Sequence, residues 1–225
     1  MYLSAAVVGL LILGALIVLL RFSFKFLAAS TNTVVSITID VAPMNTVVPT
    51  PTDVAPLDAA PSLGPKTAPI TIIEYGDFGC PSCWIWYKLG VLNDLRAKYG
   101  DQIHFIWRDF PVITLLSPKA AEAGQCANEQ GKFWEFHDVI YKSDGSIAAS
   151  DLKTYAAEIG LDMAQFNDCV TSRRYQERVN AEQTEGFRFG SVGAPWFLVN
   201  NQALVGAQRL PAFVALIDPL LTAQK

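Results

Sequence analysis

The feature that most constrains the fold of this sequence is a strand pattern that leads through a pair of cysteines into a helical pattern. Ile70–Tyr75 (ITIIEY) is a short, nearly continuous apolar run, as expected for a strand that is buried on both faces. After Cys80-Pro81-Ser82-Cys83, apolar residues recur at helical spacing as far as Tyr99, and Gly100 ends this predicted helix. Ile103–Trp107 is typical of a second strand. Since the order is strand, helix, strand, the two strands are predicted to pair in parallel.

The second half of the chain is predicted to form a helical block, two strands and a last helix. Its predicted elements, in chain order, are a helix with Ser117 as N-cap before Pro118, a helix after Ser150, a helix opened by a capping box of Asp162 and Gln165, a longer helix over Ser172–Arg188, strands at Trp196–Val199 and Ala203–Val205, and a helix from Leu210 to Leu220.

The N-terminus is predicted to be a membrane segment over residues 1–22. Tyr2–Leu20 is almost unbroken in its apolarity, and a helix over this run would be about 28 Å long, close to the hydrocarbon thickness of a bilayer. A cleaved signal peptide remains the alternative, with Ala28-Ala29-Ser30 as a small-residue cleavage site. Arg21 and Lys25 lie on the C-terminal side. The positive-inside rule would therefore place the rest of the chain in the cytoplasm, whereas the cysteine chemistry favours the outside.

Residues 23–65 are predicted to be a Pro/Thr-rich linker. Proline at this density removes backbone donors and fixes φ, which gives an extended, semi-rigid spacer. Within the linker, Val35–Val41 alternates in the manner of a strand. We expect the folded domain over residues 66–225, with a helical insertion at about 115–188.

The Cys-x-x-Cys pair at a strand-to-helix junction predicts redox chemistry. The sulfur of Cys80 is placed at a helix N-terminus, where free N–H groups and the helix dipole favour a thiolate. Cys83 lies one turn further into the helix. We therefore predict that Cys80 is the exposed sulfur that attacks or is attacked, and that Cys83 resolves the mixed disulfide.

Zinc binding is the structural alternative for this pair. A zinc site would need two further ligands nearby. Cys126 and Cys169 lie far away in predicted helices, and His104 and His137 show no paired spacing. We therefore predict neither a metal nor a cofactor. The net charge of -4 is accompanied by no basic cluster, which argues against a nucleic-acid partner.

Several segments resemble one known family. The stretch APITIIEYGDFGCPSCWIWY resembles the active-site segment of the DsbA-like thioredoxin family, in particular its BdbD-type branch. WRDFP, CANEQGKFWEFH, GLDMAQFNDC and GSVGAPWFLVN resemble further landmarks of that family, in the same order, from about Leu63 to the C-terminus. The resemblance implies an α/β thioredoxin fold, with a central mixed sheet flanked by helices and an inserted helical subdomain. Here this fold would follow a transmembrane helix and a linker.

The resemblance also implies roles for individual residues. Pro195 would be the cis-proline that faces the sulfurs, and Ala194 would offer its backbone to an extended client. Glu74 would be a buried acid that carries a proton for Cys83, whereas an acid that reaches water at a strand edge is the alternative. Two departures leave the redox poise open. Ala194 is smaller than the Thr or Val of many relatives, and Ser82 stands where many carry a histidine.

The remaining cysteines and tryptophans leave alternatives open. Cys126 and Cys169 are either two buried free thiols or a structural disulfide between insertion helices, as some relatives have. Only one of Trp84 and Trp86 can point inward from the first turn of the helix. The other, which we assign as Trp84, would form an apolar rim for client segments or be a partly buried surface residue.

The predicted function is thiol–disulfide exchange with exported proteins. We expect an oxidase that acts on reduced or unfolded clients and is reoxidised by a membrane partner, either quinone-linked or similar to vitamin K epoxide reductase (VKOR-like). The alternatives are a reductase or isomerase with the same residues, and a non-catalytic tethered chaperone or redox sensor. The expected location is extracytoplasmic and membrane-anchored, in the periplasm or at the cell surface.

Overall fold

The computed structural model describes residues 59–143 and 145–223. The predicted membrane segment over 1–22 and the strand pattern at Val35–Val41 lie outside these residues. None of the helices that the described residues form combines the length and the hydropathy needed to cross a bilayer.

The described chain forms five strands and eight α-helices. The strands are β1 (Ser62–Leu63), β2 (Ile70–Gly76), β3 (Ile103–Asp109), β4 (Trp196–Val199) and β5 (Gln202–Val205). The helices are α1 (Pro81–Lys88), α2 (Val91–Tyr99), α3 (Ser117–Glu129), α4 (Phe133–Lys142), α5 (Ala149–Glu158), α6 (Met163–Ser172), α7 (Gln176–Arg188) and α8 (Leu210–Thr222). β1 lies within residues 23–65, so the folded domain takes in the end of the stretch that we assigned to the linker.

The strands form one mixed sheet in the order β1-β3-β2-β4-β5. β2 and β3 pair in parallel, as the strand–helix–strand order predicts, and the other three pairs are antiparallel. Helices α3–α7 are inserted between β3 and β4. This architecture is a thioredoxin fold with a helical insertion, and β2 carries the chain from the centre of the sheet to the two cysteines.

Side chains that alternate along β2 face opposite layers of the core. Ile70 and Ile72 pack with Trp86 of α1 and with α2 and α8. Ile73 and Tyr75 pack on the other face, with Phe189 beyond the end of α7. Glu74 therefore lies on the face that α1 covers, and its strand neighbours are Trp107 of β3 and Phe197 of β4.

A disulfide joins two helices of the insertion. Cys126 of α3 and Cys169 of α6 have an S–S distance of 2.03 Å and a Cα–Cα distance of 5.9 Å. Both residues are buried in the core cluster that also contains Cys80 and Cys83. The insertion therefore packs directly against the start of α1.

The prediction of one continuous helix from the cysteine pair to Tyr99 is wrong. The chain forms α1 and α2 instead, separated at Leu89 and Gly90. Gly90 has a φ of 71°, in the left-handed region, and its N–H donates to Tyr87 O at 2.9 Å. A residue without a Cβ adopts this conformation at little cost, so Gly90 ends α1 although the apolar spacing continues.

Two other helix boundaries differ from the predictions. Leu116, not Ser117, is the N-cap of α3, and the Ser117 hydroxyl accepts from Thr114 N instead. The predicted helix over Ser172–Arg188 is interrupted, because Arg173 has a φ of 55° and α7 begins at Gln176.

The capping box at α6 forms only in part. Asp162 is the N-cap, and its carboxylate accepts from Ala164 N and Gln165 N. The side chain of Gln165 donates to that carboxylate, whereas the Asp162 N–H donates to the side-chain oxygen of Gln130.

Candidate active site

The two cysteines lie at the start of α1. Cys80 is its N-cap, with extended backbone angles, and Pro81 occupies the first turn, where a missing N–H costs little. Cys83 follows inside the helix. Cys80 is 3% exposed and Cys83 1%, and both are free thiols. The prediction of an exposed Cys80 sulfur is therefore wrong, because the loop of Ala194 covers it.

Asp77 organises the loop that leads into the helix. Its carboxylate accepts from Gly79 N at 2.7 Å, Ile113 N at 2.8 Å and Val112 N at 3.0 Å. Its main-chain carbonyl accepts from Cys80 N at 3.0 Å. Asp77 therefore ties the cysteine loop to the segment after β3, because backbone donors from both converge on it.

Gly79 allows these two segments to come close together. A Cβ at this position would lie 2.6 Å from Ser117 Oγ and 2.9 Å from Ile147 Cδ1. Only a residue without a side chain fits beside Cys80 here, so the approach of α3 to the cysteine loop depends on this glycine.

The surroundings of Cys80 favour its thiolate. A hydrogen bond from Cys83 lowers the pKa of Cys80 to about 7, against burial, which raises it. The backbone N–H groups of Cys83 and Ser82 lower it further, as expected at a helix N-terminus. A group with a pKa of about 7 is half ionised at pH 7, so Cys80 can act as a nucleophile near neutrality.

The surroundings of Cys83 and Glu74 favour the protonated forms of both groups. Burial raises the pKa of the Cys83 thiol well above its usual range, and its hydrogen bond to Cys80 and the nearby Glu74 add to this effect. Burial also raises the pKa of Glu74 to about 8, with a smaller contribution from Cys80. Glu74 is 2% exposed, which does not fit the alternative of an acid that reaches water. Its carboxyl is therefore protonated at pH 7, within electrostatic range of both sulfurs.

The loop before β4 closes the site on the side of Cys80. The Ala194–Pro195 peptide bond is cis. The Cys80 thiol donates a hydrogen bond to the Ala194 carbonyl, with an Sγ–O distance of 3.0 Å. The structure thus brings the backbone of Ala194 to the sulfur that is 114 residues earlier in the chain.

Trp84 and Trp86 point in different directions. Trp86 is buried against Phe105 and Phe197, whereas Trp84 is half-buried and donates from Nε1 to Tyr141 O at 3.0 Å. Trp84 also lines an open cavity of about 260 Å³ beside the redox pair. The lining residues are Phe78, Gly79, Cys80, Pro81, Trp84 and Gly145.

The structure brings together Glu74, Cys80, Cys83, Ala194 and Pro195. Cys126 and Cys169 are bonded to each other in the insertion. Across the described residues, no three His, Cys, Asp or Glu side chains are grouped as metal ligands would be.

Sequence reasoning missed Asp77 and Tyr141. Asp77 stands three residues before Cys80, and a short acid just before a helix is a signal that could have identified it. Nothing in the sequence relates Tyr141 of α4 to a loop that is 64 residues away.

A Cys-x-x-Cys pair at the start of the first helix of a thioredoxin fold, beside a cis-proline loop, defines the class of thiol–disulfide oxidoreductases. Comparison with known proteins agrees with this class. The family described as thioredoxin matches residues 58–219. The chain belongs to this family.

Solved structures share the fold. BdbD from Bacillus subtilis, in its oxidised form, is 18% identical, with a TM-score of 0.68 over 74% of this chain and 95% of that chain. A thioredoxin-like oxidoreductase from Silicibacter pomeroyi is 22% identical, with a TM-score of 0.67 over 73% and 94%. The α-DsbA1 protein of Wolbachia pipientis is 24% identical, with a TM-score of 0.64 over 74% and 93%.

The curated relatives that match are much longer proteins. The Na(+)/H(+) antiporter NhaA 1 of Salinispora arenicola is 34% identical over 157 residues, which are 68% of this chain and 24% of that protein. The antiporter NhaA of Herminiimonas arsenicoxydans is 32% identical over 155 residues, 69% of this chain and 24% of that protein. The chain therefore spans about a quarter of the length of these relatives.

Proposed function

We propose that this protein is a protein disulfide oxidoreductase that oxidises thiols of exported proteins through Cys80 and Cys83. The observation that carries the proposal is the asymmetry of the pair. The Cys80 thiol has a pKa of about 7, whereas burial holds the pKa of the Cys83 thiol well above its usual range. This difference favours Cys80 as the sulfur that exchanges with a client, and Cys83 as the buried sulfur that opens and closes the internal disulfide.

The reaction follows from these positions. A client thiolate attacks Cys80 Sγ of the oxidised pair, the Cys80–Cys83 bond breaks, and Cys83 leaves as a thiolate. Glu74, which is protonated at pH 7 because burial raises its pKa to about 8, supplies a proton to Cys83. A second client thiol then attacks the client sulfur of the mixed disulfide, and Cys80 leaves as a thiolate. The client loses two electrons, which the redox pair gains.

The surface around Cys80 suits an unfolded client. Leu115 is 99% exposed, on the loop whose Ile113 N–H binds Asp77. Val192 is 89% exposed, two residues before Ala194. Two exposed apolar side chains on the segments that flank the redox pair favour apolar, extended partners. The cavity beside Trp84 would accept one client side chain.

One observation favours a second candidate, a reductase or isomerase with the same residues. A pKa of about 7 at Cys80 is nearer to the value of about 7 in thioredoxin than to about 3.5 in DsbA. A less acidic thiol stabilises the reduced pair less, and this makes a weaker oxidant.

The reduction potential of the pair separates the two candidates. The oxidised chain is equilibrated with glutathione buffers, and the reduced fraction is read by alkylation of Cys80. The proposed oxidase requires a value nearer to about -120 mV, as in DsbA, than to about -270 mV, as in thioredoxin. A value near that of thioredoxin would reject the oxidase in favour of the reductase.

Trapping tests the order of the two sulfurs. Cys83→Ser should accumulate mixed disulfides with unfolded clients that carry a disulfide. The Cys80 thiolate attacks the client disulfide, one client sulfur leaves as a thiolate, and no Cys83 thiol is present to resolve the product. Cys80→Ser, the matched control, should form none. Trapping by the Cys80 variant instead would reverse the assignment, and the absence of trapping by both would favour a chaperone or a redox sensor.

We further propose that the protein is held at the membrane with its redox domain outside the cytoplasm. The disulfide between Cys126 and Cys169 supports a non-reducing compartment. A quinone-linked or VKOR-like membrane oxidase would accept the two electrons from the reduced pair. A reporter fused after Lys225 tests the topology, because a cytoplasmic signal would contradict the proposed location.

A further inference from the structure

A second cavity lies where α1, α2 and α4 meet the end of β1. We call it the α2–α4 groove, after Leu92 and Arg96 of α2 and Trp134 and Lys142 of α4, which line it. Its volume is about 390 Å³, within the range of small-molecule sites, roughly 300–1,000 Å³. The groove shares no lining residue with the cavity beside Cys80, so the redox chemistry does not account for it.

Two aromatic side chains on different helices line the groove. Trp134 of α4 is half-buried, and its indole N–H donates to Ser62 O at 3.2 Å. Tyr87 belongs to α1. The ring of His137 contacts both, with centroid distances of 5.3 Å to Trp134 and 5.6 Å to Tyr87. Because His137 is buried, these contacts hold the two rings in place, and the groove presents a fixed aromatic surface.

The charged side chains of the groove are mostly positive. Lys88, Arg96 and Lys142 line it together with one carboxylate, that of Asp138. Burial lowers the pKa of His137, which also lines the groove, below its ordinary value of 6.5, so its ring is neutral at pH 7. Three cations and one carboxylate give the lining a net charge of +2, whereas the whole chain carries -4.

Arg96 is the cation of the groove that is best placed to bind an anion. Lys142 Nζ lies 3.4 Å from Asp138 Oδ2, and Lys88 Nζ lies over the ring of Trp84, 5.2 Å from its centroid. The side chain of Arg96 is exposed and makes no hydrogen bond or ion pair with any residue that the structure describes. A guanidinium offers a carboxylate two parallel N–H donors, a geometry that an ammonium group lacks.

We propose that the α2–α4 groove is a binding site for a small aromatic carboxylate. The ring of the ligand lies against Trp134 and Tyr87, and its carboxylate pairs with Arg96. The positive lining discriminates against an amine of the same shape. The aromatic surface discriminates against an inorganic anion, which has no apolar ring to bury. This inference does not depend on the proposed function, because neither Cys80 nor Cys83 lines the groove.

The test titrates the full chain with 2-naphthoate, a flat bicyclic ring with one carboxylate, and with 2-naphthamide, which has the same ring and no charge. We expect calorimetry to show that the chain binds the acid about tenfold more tightly than the amide, because a charge-assisted pair with a guanidinium is stronger than a neutral hydrogen bond. Arg96→Gln should lower the affinity for the acid to that for the amide, since Gln carries no charge.

Lys98→Gln is the matched control. Lys98 is exposed on the same helix as Arg96 but does not line the groove, so its variant loses the same charge and should keep the preference for the acid. The indole N–H resonances, assigned with Trp→Phe variants, locate the bound probe. The resonance of Trp134 should shift with 2-naphthoate, whereas that of Trp84, which lines the cavity beside Cys80, should not.

Four results would overturn the inference. Equal affinities for the acid and the amide would exclude a role for charge, and loss of the preference in Lys98→Gln would reduce it to the general field of the helix. A shift at Trp84 in place of Trp134 would move the probe to the redox cavity. Self-association of the probe-free chain that Arg96→Gln abolishes would assign the groove to a second copy. Failure of the proposed function is distinct from all four, because the titration involves no disulfide exchange.

Discussion

Glu74→Gln should change how the stability of this protein depends on pH. The variant is best made in a Cys80→Ala, Cys83→Ala background, which leaves the Cys126–Cys169 disulfide intact without any reducing agent. Gln keeps the shape of the side chain and removes its ionisation. Burial, the main cause of the raised pKa of Glu74, remains in this background.

The magnitude follows from the difference between the folded and unfolded pKa values. The pKa of Glu74 is about 8 in the folded chain, against 4.5 for an ordinary glutamate. Between these values the folded state holds a proton that the unfolded state has lost, so stability falls as pH rises, by about 1.4 kcal/mol per pH unit. From pH 5 to pH 8, Glu74 should therefore cost the parent about 3 kcal/mol of unfolding free energy that the Gln variant keeps.

Urea unfolding at pH 5, 6, 7 and 8 measures this difference. The gap between the Gln variant and its parent should widen steadily across the series. Glu135→Gln is the control, because Glu135 is exposed on α4 and its variant should follow the parent at every pH. Parallel curves for Glu74→Gln and the parent would refute the reasoning, because they would mean that the Glu74 carboxyl ionises as readily as in water.

Three further predictions concern the sulfurs and the loop. Iodoacetamide should alkylate Cys80 of the reduced chain with a half-maximal rate near pH 7, since its pKa is lowered to about 7, and about tenfold more slowly for each pH unit well below that. A midpoint near pH 9 would contradict the thiolate assignment. Joint replacement of Cys126 and Cys169 by Ala opens a loop with a sequence separation of 43 and should lower the unfolding free energy by about 4 kcal/mol in urea titrations; an unchanged midpoint would refute it. Asp77→Asn replaces an acceptor oxygen with a donor that faces backbone N–H groups, so it should destabilise the chain by about 1–3 kcal/mol. A loss below about 0.5 kcal/mol, within the range of ordinary surface substitutions, would mean that these hydrogen bonds are not needed.

The order of the elements could be predicted from the sequence because the hydrophobic patterns are strong where burial is two-sided. The apolar runs of β2 and β3 predicted both strands, and the helical pattern between them predicted their parallel pairing. The break at Gly90 could not be predicted, because the apolar spacing continues through it and only the left-handed φ ends the helix. The prediction of Ser117 as an N-cap was wrong for a related reason. Its hydroxyl hydrogen-bonds within the turn at Thr114 and does not cap the N-terminus of α3.

The residues of the candidate site also differ in whether the sequence could predict them. The positions of Cys80 and Cys83 follow from one short segment, because a strand that leads into a helix fixes their mutual geometry. The role of Glu74 was implied only by the family resemblance. The contact of Tyr141 depends on how the insertion packs against that segment, and no local pattern records this packing. The carboxylate of Asp77 binds Ile113 N, a partner that only the folded chain brings near.

The hydrogen bond from Cys80 to the Ala194 carbonyl has a consequence for turnover. A disulfide carries no sulfur-bound proton, so oxidation of the pair removes this donor and leaves the carbonyl available to the main chain of an incoming segment. The reduced protein, with Cys80 protonated, occupies the same acceptor itself. In the proposed oxidase cycle, this internal bond would compete with the client only after the disulfide has been transferred, and it would favour release of the product over rebinding.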